Sequence, residues 1–161
     1  MLRSIWQKYI GPAFLRPPRF QVAALCHRQN PQTNELEVLL ITSRETKRWV
    51  LPKGWPKRGY DAAGTAVEEA WEEAGVRAPS EPPLKVGSYR YEKRLDGGLP
   101  APTHVDVYAV EAKGMFDTFP EAGERERRWV RPAEAATMVE EPSLRQLLAR
   151  APDLLVALAS G

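Results

Sequence analysis

The chain has 161 residues, 43% of them hydrophobic and 27% charged, with a formal net charge of +2. That is one domain's worth of ordinary globular composition, and it excludes a disordered, collagenous or coiled-coil chain. It is long enough to bury a core without a disulfide or a structural metal. The one cysteine, Cys26, cannot form an internal disulfide or a zinc cage, which fits a cytoplasmic location. No apolar run reaches 18 residues, so no membrane span is expected. The small positive excess does not imply nucleic acid as a partner. It matters only if the basic residues converge on one site.

In chain order, Leu2, Ile5, Trp6, Tyr9 and Ile10 recur at helical spacing and Gly11-Pro12 ends that helix. With Arg3 and Lys8 this extension, residues 1–16, suits a membrane surface or a targeting peptide. The plainer reading is a helix packed on its own domain or on a second subunit of a homodimer. Strand-like runs follow at Phe20 to His27 and Leu36 to Thr42, joined by a turn at Asn30-Pro31. Leu36 to Thr42 is almost continuously apolar, as a strand buried on both faces is. Trp49-Val50-Leu51 reads as a short strand stopped by Pro52, which cannot donate a ladder hydrogen bond. A basic, glycine-containing loop, Lys53 to Tyr60, leads into a helix from Asp61 to Ala74, with Asp61 as N-cap and Gly75 as C-cap.

Beyond a proline-rich loop, Leu84 to Arg94 and Thr103 to Ala112 read as strands joined by Asp96-Gly97-Gly98. In the second strand Val105, Val107 and Ala109 alternate with His104, Asp106 and Tyr108, which gives it one polar face. A loop from Phe116 to Arg125 precedes a strand around Arg128-Trp129-Val130. Helices follow near Pro132 to Val139, Pro142 to Arg150 and Asp153 to Ala159. Mixed strands and helices imply an α/β sandwich, read as a single domain over residues 1–161.

The helix from Asp61 carries the chemical signal. At about 100° per residue, Glu68, Glu69, Glu72 and Glu73 fall on one arc of roughly 140°, with Ala63, Val67, Ala70, Trp71 and Ala74 opposite as the core side. Glu68/Glu72 and Glu69/Glu73 are like-charge pairs at i,i+4, each costing about 0.2–0.5 kcal/mol. They lie in the last two turns, where the helix dipole disfavours negative charge, and no Lys or Arg occurs within the helix. Two readings stand. One is a solvated acidic face. The other is a site for Mg²⁺ or Mn²⁺, which take hard oxygen ligands from carboxylates one turn apart.

The stretch from Gly54 to Val76 resembles the Nudix box, Gly-x5-Glu-x7-Arg-Glu-(apolar)-x-Glu-Glu-x-Gly-(apolar). Gly54 takes the first glycine, Glu69 the glutamate after the arginine, Ala70 the apolar position, Glu72 and Glu73 the paired glutamates, Gly75 the second glycine and Val76 the last apolar residue. Two positions depart from it: Tyr60 stands where the box has glutamate, and Glu68 where it has arginine. In the family that arginine helps hold a catalytic glutamate, so a basic residue from elsewhere is expected to substitute. The wider layout, from about Phe20 to Arg150, also resembles Nudix domains. The resemblance implies an α/β/α sandwich with a mixed sheet and hydrolysis of a phosphoanhydride. It also implies Glu69 and Glu73 as metal ligands and Glu72 as a further ligand or the base. The backbone carbonyl of Lys53 would be another ligand, and Glu121 or Glu124 a last acid from a later loop.

Thr42-Ser43-Arg44 ahead of Arg48-Trp49-Val50-Leu51-Pro52-Lys53-Gly54, with Arg125 to Trp129, resembles the diphosphoinositol-polyphosphate phosphohydrolase branch of Nudix, whose members also cleave dinucleoside polyphosphates. The branch implies that Ser43 and Arg44 touch substrate phosphate. The other basic candidates are Lys47 and Arg48, Lys53, Lys57 and Arg58 on the box loop, and Arg90, Lys93 and Arg94. Each group reads as solvated surface taken alone, and as a polyphosphate grip if they converge. Trp49 reads as core, while Trp55 and Tyr60 are open to stacking on a base. His27 and His104 are read as ordinary strand residues and Cys26 as a small buried side chain. The expected activity is Mg²⁺- or Mn²⁺-dependent cleavage of a dinucleoside polyphosphate or a diphosphoinositol polyphosphate. Its rivals are nucleotide-pool or nucleotide-sugar hydrolysis, and a Nudix-fold sensor that binds a nucleotide or nucleic acid without turnover.

Overall fold

The computed structural model describes residues 19–94 and 98–161. The expected N-terminal helix and most of the Asp96-Gly97-Gly98 turn lie outside the described residues. The strands are β1 (Arg19–Gln29), β2 (Leu36–Thr42), β3 (Trp49–Val50), β4 (Lys53–Gly54), β5 (Val76–Arg77), β6 (Leu84–Arg94), β7 (Pro100–Glu111), β8 (Gly114–Met115) and β9 (Arg127–Val130). The helices are α1 (Ala62–Ala74), α2 (Pro132–Met138), α3 (Pro142–Ala149) and α4 (Ala151–Ser160).

Seven strands form one mixed sheet in the order β3-β2-β1-β7-β6, with β4 also on β1 and β9 also on β2. β1 and β7 are parallel over Arg19↔Thr103 to His27↔Glu111, and the β6/β7 and β1/β2 pairs are antiparallel. β5 and β8 make a separate two-stranded pair. Pro100 and Pro102 sit in β7 opposite Arg94 and Glu92 of β6.

β1 shows why the fold has three layers. Ala23 and Leu25 face one core with Val38, Leu40, Val105, Val107, Leu144 and Leu148. Val22, Ala24 and Cys26 face the other with Leu39, Ile41, Ala66, Ala70 and Ala74. A central strand apolar on both sides needs cover on both. α1 covers one face, and α2 to α4 cover the other. Cys26 is fully buried, and burial pushes its thiol up to about 12.

Two details position the functional end. β2 pairs with β1 only over Gln29↔Leu36 to His27↔Val38 and then parts from it. β4 takes the freed edge, pairing Ala23 with Lys53 and Val22 with Gly54, while the Ala24 N–H donates to the Pro52 carbonyl at 2.9 Å. Lys53 and Gly54, read from sequence as loop, are therefore pinned as a strand at the mouth of this split. Trp71, placed by periodicity on the core side, is 39% exposed. The buried line on α1 runs through Ala66, Ala70 and Ala74, all at 0% exposure, and it carries Glu69 and Glu73 in with it.

Candidate active site

The site grows from the close approach of α1. Three alanines let the helix axis come near the sheet. Asp61 caps the N-terminus by accepting from the Gly64 N–H at 2.7 Å. Gly75 closes the other end in the left-handed region, at φ 66°, with its N–H donating back to the Ala70 and Trp71 carbonyls. A Cβ at Gly75 would lie 2.9 Å from the Phe116 carbonyl oxygen, so the loop after β8 adds its own demand for glycine. That loop docks on the helix end: the Phe116 N–H donates to the Gly75 carbonyl at 2.7 Å and the Glu121 N–H to the Glu72 carbonyl at 3.0 Å.

Glu69 and Glu73 are buried, at 6% and 9% exposure. The acidic arc is thus not a plain solvated face: half of it points under the end of the sheet. Gly54 lies against Glu69 so closely that a Cβ there would run into the carboxylate. Glu73 Oε1 accepts the Lys53 backbone N–H at 3.0 Å, and Oε2 pairs with Arg125 Nη2 at 3.3 Å. Burial raises the Glu73 carboxyl to about 7 despite Arg125, and the neighbouring Glu69 adds to the rise. Glu69 is raised too, chiefly by burial, with Lys57 opposing. Burial lowers the Lys53 ammonium to about 8, against the pull of Glu73.

The helix contains no basic residue, but cations reach it from elsewhere. Lys57 Nζ lies 3.2 Å from Glu69 Oε1 and 3.0 Å from Glu72 Oε2. Arg127 donates to the Ala74 carbonyl at 3.1 Å, at the negative end of the dipole. Arg125, 9% exposed, spans Glu73, Glu121 at 2.8 Å and the Thr42 carbonyl at 3.1 Å. Part of the unfavourable charge read from the sequence is therefore offset by side chains far away along the chain. In the sequence Arg125 stands only as the end of the loop from Phe116 and the start of a branch motif. The local signal for it is its place four residues after Glu121, where it makes an i,i+4 ion pair.

A cavity of about 1180 Å³ gathers most of the expected residues. Ser43, Arg44, Arg48, Lys53, Lys57, Glu69, Glu72, Glu73 and Glu121 line it, joined by Gln21, Trp55, Tyr91, Lys93 and Arg125. Lys47, Arg58, Arg90 and Glu124 are not among its lining residues. Glu124 instead accepts Arg44 at 3.4 Å near the rim. Ser43 shapes the Ser43–Arg48 turn by accepting the Arg48 N–H at 3.0 Å, and the Arg48 guanidinium reaches Glu140 at 2.9 Å. Trp55 is 41% exposed, with the Lys93 ammonium 5.9 Å and the Arg19 guanidinium 5.8 Å from its ring centroid. Trp49 is half-buried beneath Arg128, not fully in the core.

The donor set fits a hard divalent cation: carboxylate oxygens from Glu69, Glu72 and Glu73 on one helix face, two of the three buried and raised by burial. Among the described residues no three Asp, Glu, His or Cys side chains already stand at a common ligating distance. Glu69 and Glu72 are turned onto Lys57, and Glu73 onto Lys53 N–H and Arg125.

Fold and site together define an α/β domain with a buried carboxylate face at the mouth of a cationic cleft. The NUDIX domain family matches residues 19–151, and the chain belongs to that family. It is 35% identical over 110 residues to Nudix hydrolase 13, mitochondrial, of Arabidopsis thaliana, covering 63% of this chain and 52% of that one. Over 58 residues it is 41% identical to human diphosphoinositol polyphosphate phosphohydrolase 3-alpha, covering 35% of this chain and 34% of that one. The chain thus spans about half, or less, of the length of these curated relatives. Its fold is similar to that of the C. elegans Ap4A hydrolase, with a TM-score of 0.58 at 15% identity, covering 86% of this chain and 99% of that one. Among the described residues no helix is long and apolar enough to cross a membrane.

Proposed function

We propose that this chain hydrolyses a phosphoanhydride bond in a highly anionic small molecule, with Mg²⁺ or Mn²⁺ held by Glu69, Glu72 and Glu73. The observation that carries this reading is the pair of buried carboxylates, Glu69 and Glu73, facing one cavity with five cationic side chains besides Arg125. Bound there, the cation would neutralise the phosphate oxygens and acidify the attacking water. The chain's own residues supply the rest. Arg44, Arg48 and Lys93 grip phosphates along the cleft, arginine with two N–H groups at a time. Arg125 and the Lys53 N–H fix the Glu73 carboxylate. Glu121, anchored on the Glu72 carbonyl through its own N–H, brings a further acid to the same wall.

Two substrate classes suit such a cleft, dinucleoside polyphosphates and diphosphoinositol polyphosphates. The names of the relatives above are compatible with both. The exposed Trp55 ring on the cavity wall favours the substrate with a base to stack. The test is product release with Mg²⁺ across dinucleoside polyphosphates, diphosphoinositol polyphosphates, nucleoside triphosphates and nucleotide sugars. Cleavage of the dinucleotide, abolished by Glu73→Gln, is the expected result. Tight nucleotide binding with no turnover at any Mg²⁺ concentration would make the protein a sensor and overturn the enzymatic reading.

A further inference from the structure

The box departures at positions 60 and 68 are partners. Tyr60 Oη donates to Glu68 Oε1 at 3.1 Å, on the exposed side of α1. The positive charge that an arginine at position 68 would bring is replaced by a negative one, while Glu69 and Glu72 stay. Lys57 supplies a positive charge from the box loop. Its Nζ lies 3.2 Å from Glu69 Oε1, 3.1 Å from Glu72 Oε1 and 3.0 Å from Glu72 Oε2. An ammonium has three donors, and three carboxylate oxygens surround this one. The root of the side chain is tethered as well, since the Lys57 backbone N–H donates to Thr65 Oγ1 at 3.3 Å and Thr65 is fully buried.

We propose that Lys57 is a positioning residue that holds the Glu69 and Glu72 carboxylates together by standing where a divalent cation would, and that it competes with that cation for the same oxygens. The proposal rests on the reading of these carboxylates as the metal site. The Lys57 ammonium occupies the space between two of them. Two cations cannot share those three oxygens without strong repulsion, so the divalent ion enters only as Lys57 leaves. Its side chain is 27% exposed and its four-carbon stem is flexible, so the ammonium can swing into the cleft, where a substrate phosphate is its natural new partner.

The test is calorimetric titration with Mn²⁺ of the wild-type protein, Lys57→Met, Lys57→Gln and Lys57→Arg, with melting temperatures in EDTA and in Mn²⁺ as a second readout. The two neutral variants are expected to bind Mn²⁺ about tenfold more tightly, the modest end for one partly exposed charge, and to gain more melting temperature from Mn²⁺ than wild type does. Lys57→Arg is expected to stay near wild type. A side chain with a merely structural role would lower stability equally with and without Mn²⁺ and leave the affinity alone. Mn²⁺ uptake by wild type with equal or weaker uptake by both neutral variants overturns this proposal alone. No uptake by any of the proteins overturns the metal reading, and this proposal with it.

Discussion

Burial of Glu73 has a consequence for stability that can be worked through. Its carboxyl ionises near 7 in the folded protein instead of at the ordinary 4.5, because desolvation outweighs Arg125. A carboxyl raised on folding costs nothing below pH 4.5, where both states are protonated. The cost grows between pH 4.5 and 7 as the unfolded chain loses its proton first, and it is complete above pH 7. At about 1.4 kcal/mol per pH unit this amounts to roughly 3 kcal/mol. The Glu73→Gln variant carries no such titration. Urea unfolding of both proteins in EDTA, from pH 4.5 to 8, reads the effect as a difference, in which groups away from the Glu69–Glu73 pair cancel. The free energy of Glu73→Gln relative to wild type should rise by about 3 kcal/mol across the window, most steeply between pH 5 and 7. A flat difference would refute the reasoning, and so would one that falls with pH.

Three further outcomes follow from the same geometry. Gly54→Ala drives a methyl group into the Glu69 carboxylate, so it should cost about 1–3 kcal/mol in urea unfolding and impair turnover together; unchanged values for both would contradict the packing. Arg125→Met leaves the buried Glu73 and the half-buried Glu121 without their shared guanidinium and should destabilise by about 3 kcal/mol at pH 8, which thermal unfolding reads directly. Cys26, buried and pushed up to about 12, should react with an aromatic disulfide reagent at pH 8 only when urea unfolds the chain; rapid native-state labelling would show that the second core is open.

Much of this was legible in the residues. β2 matches the apolar run from Leu36 to Thr42, and α1 lies between the expected caps Asp61 and Gly75, because each signal is local and strong. The two-residue strands β4, β5 and β8 escaped, since two residues carry no periodicity. The periodicity puts Ala63, Val67, Ala70, Trp71 and Ala74 on the core side of α1; the sheet takes Ala70 and Ala74 but turns the helix toward Ala66, leaving Trp71 outside and taking Glu69 and Glu73 inside. The ion pairs were the least legible part. Lys57 meets Glu72 across 15 positions and Arg125 meets Glu73 across 52, distances at which sequence spacing says nothing and only the fold decides. Convergence of the basic groups was conditional in the sequence. The fold satisfied it for Arg44, Arg48, Lys53, Lys57 and Lys93 and left Lys47, Arg58 and Arg90 off the cavity wall.

The central claim is that the α1 carboxylates hold a divalent ion against a phosphoanhydride. A crystal of the protein with Mn²⁺ and a non-hydrolysable dinucleoside polyphosphate tests it most directly, through the anomalous signal of the metal. The account predicts a peak ligated by oxygens of Glu69 and Glu73, with a phosphate oxygen of the dinucleotide in the same coordination shell. Anomalous density elsewhere, with these carboxylates still turned onto Lys57 and Arg125 beneath a bound dinucleotide, would contradict it.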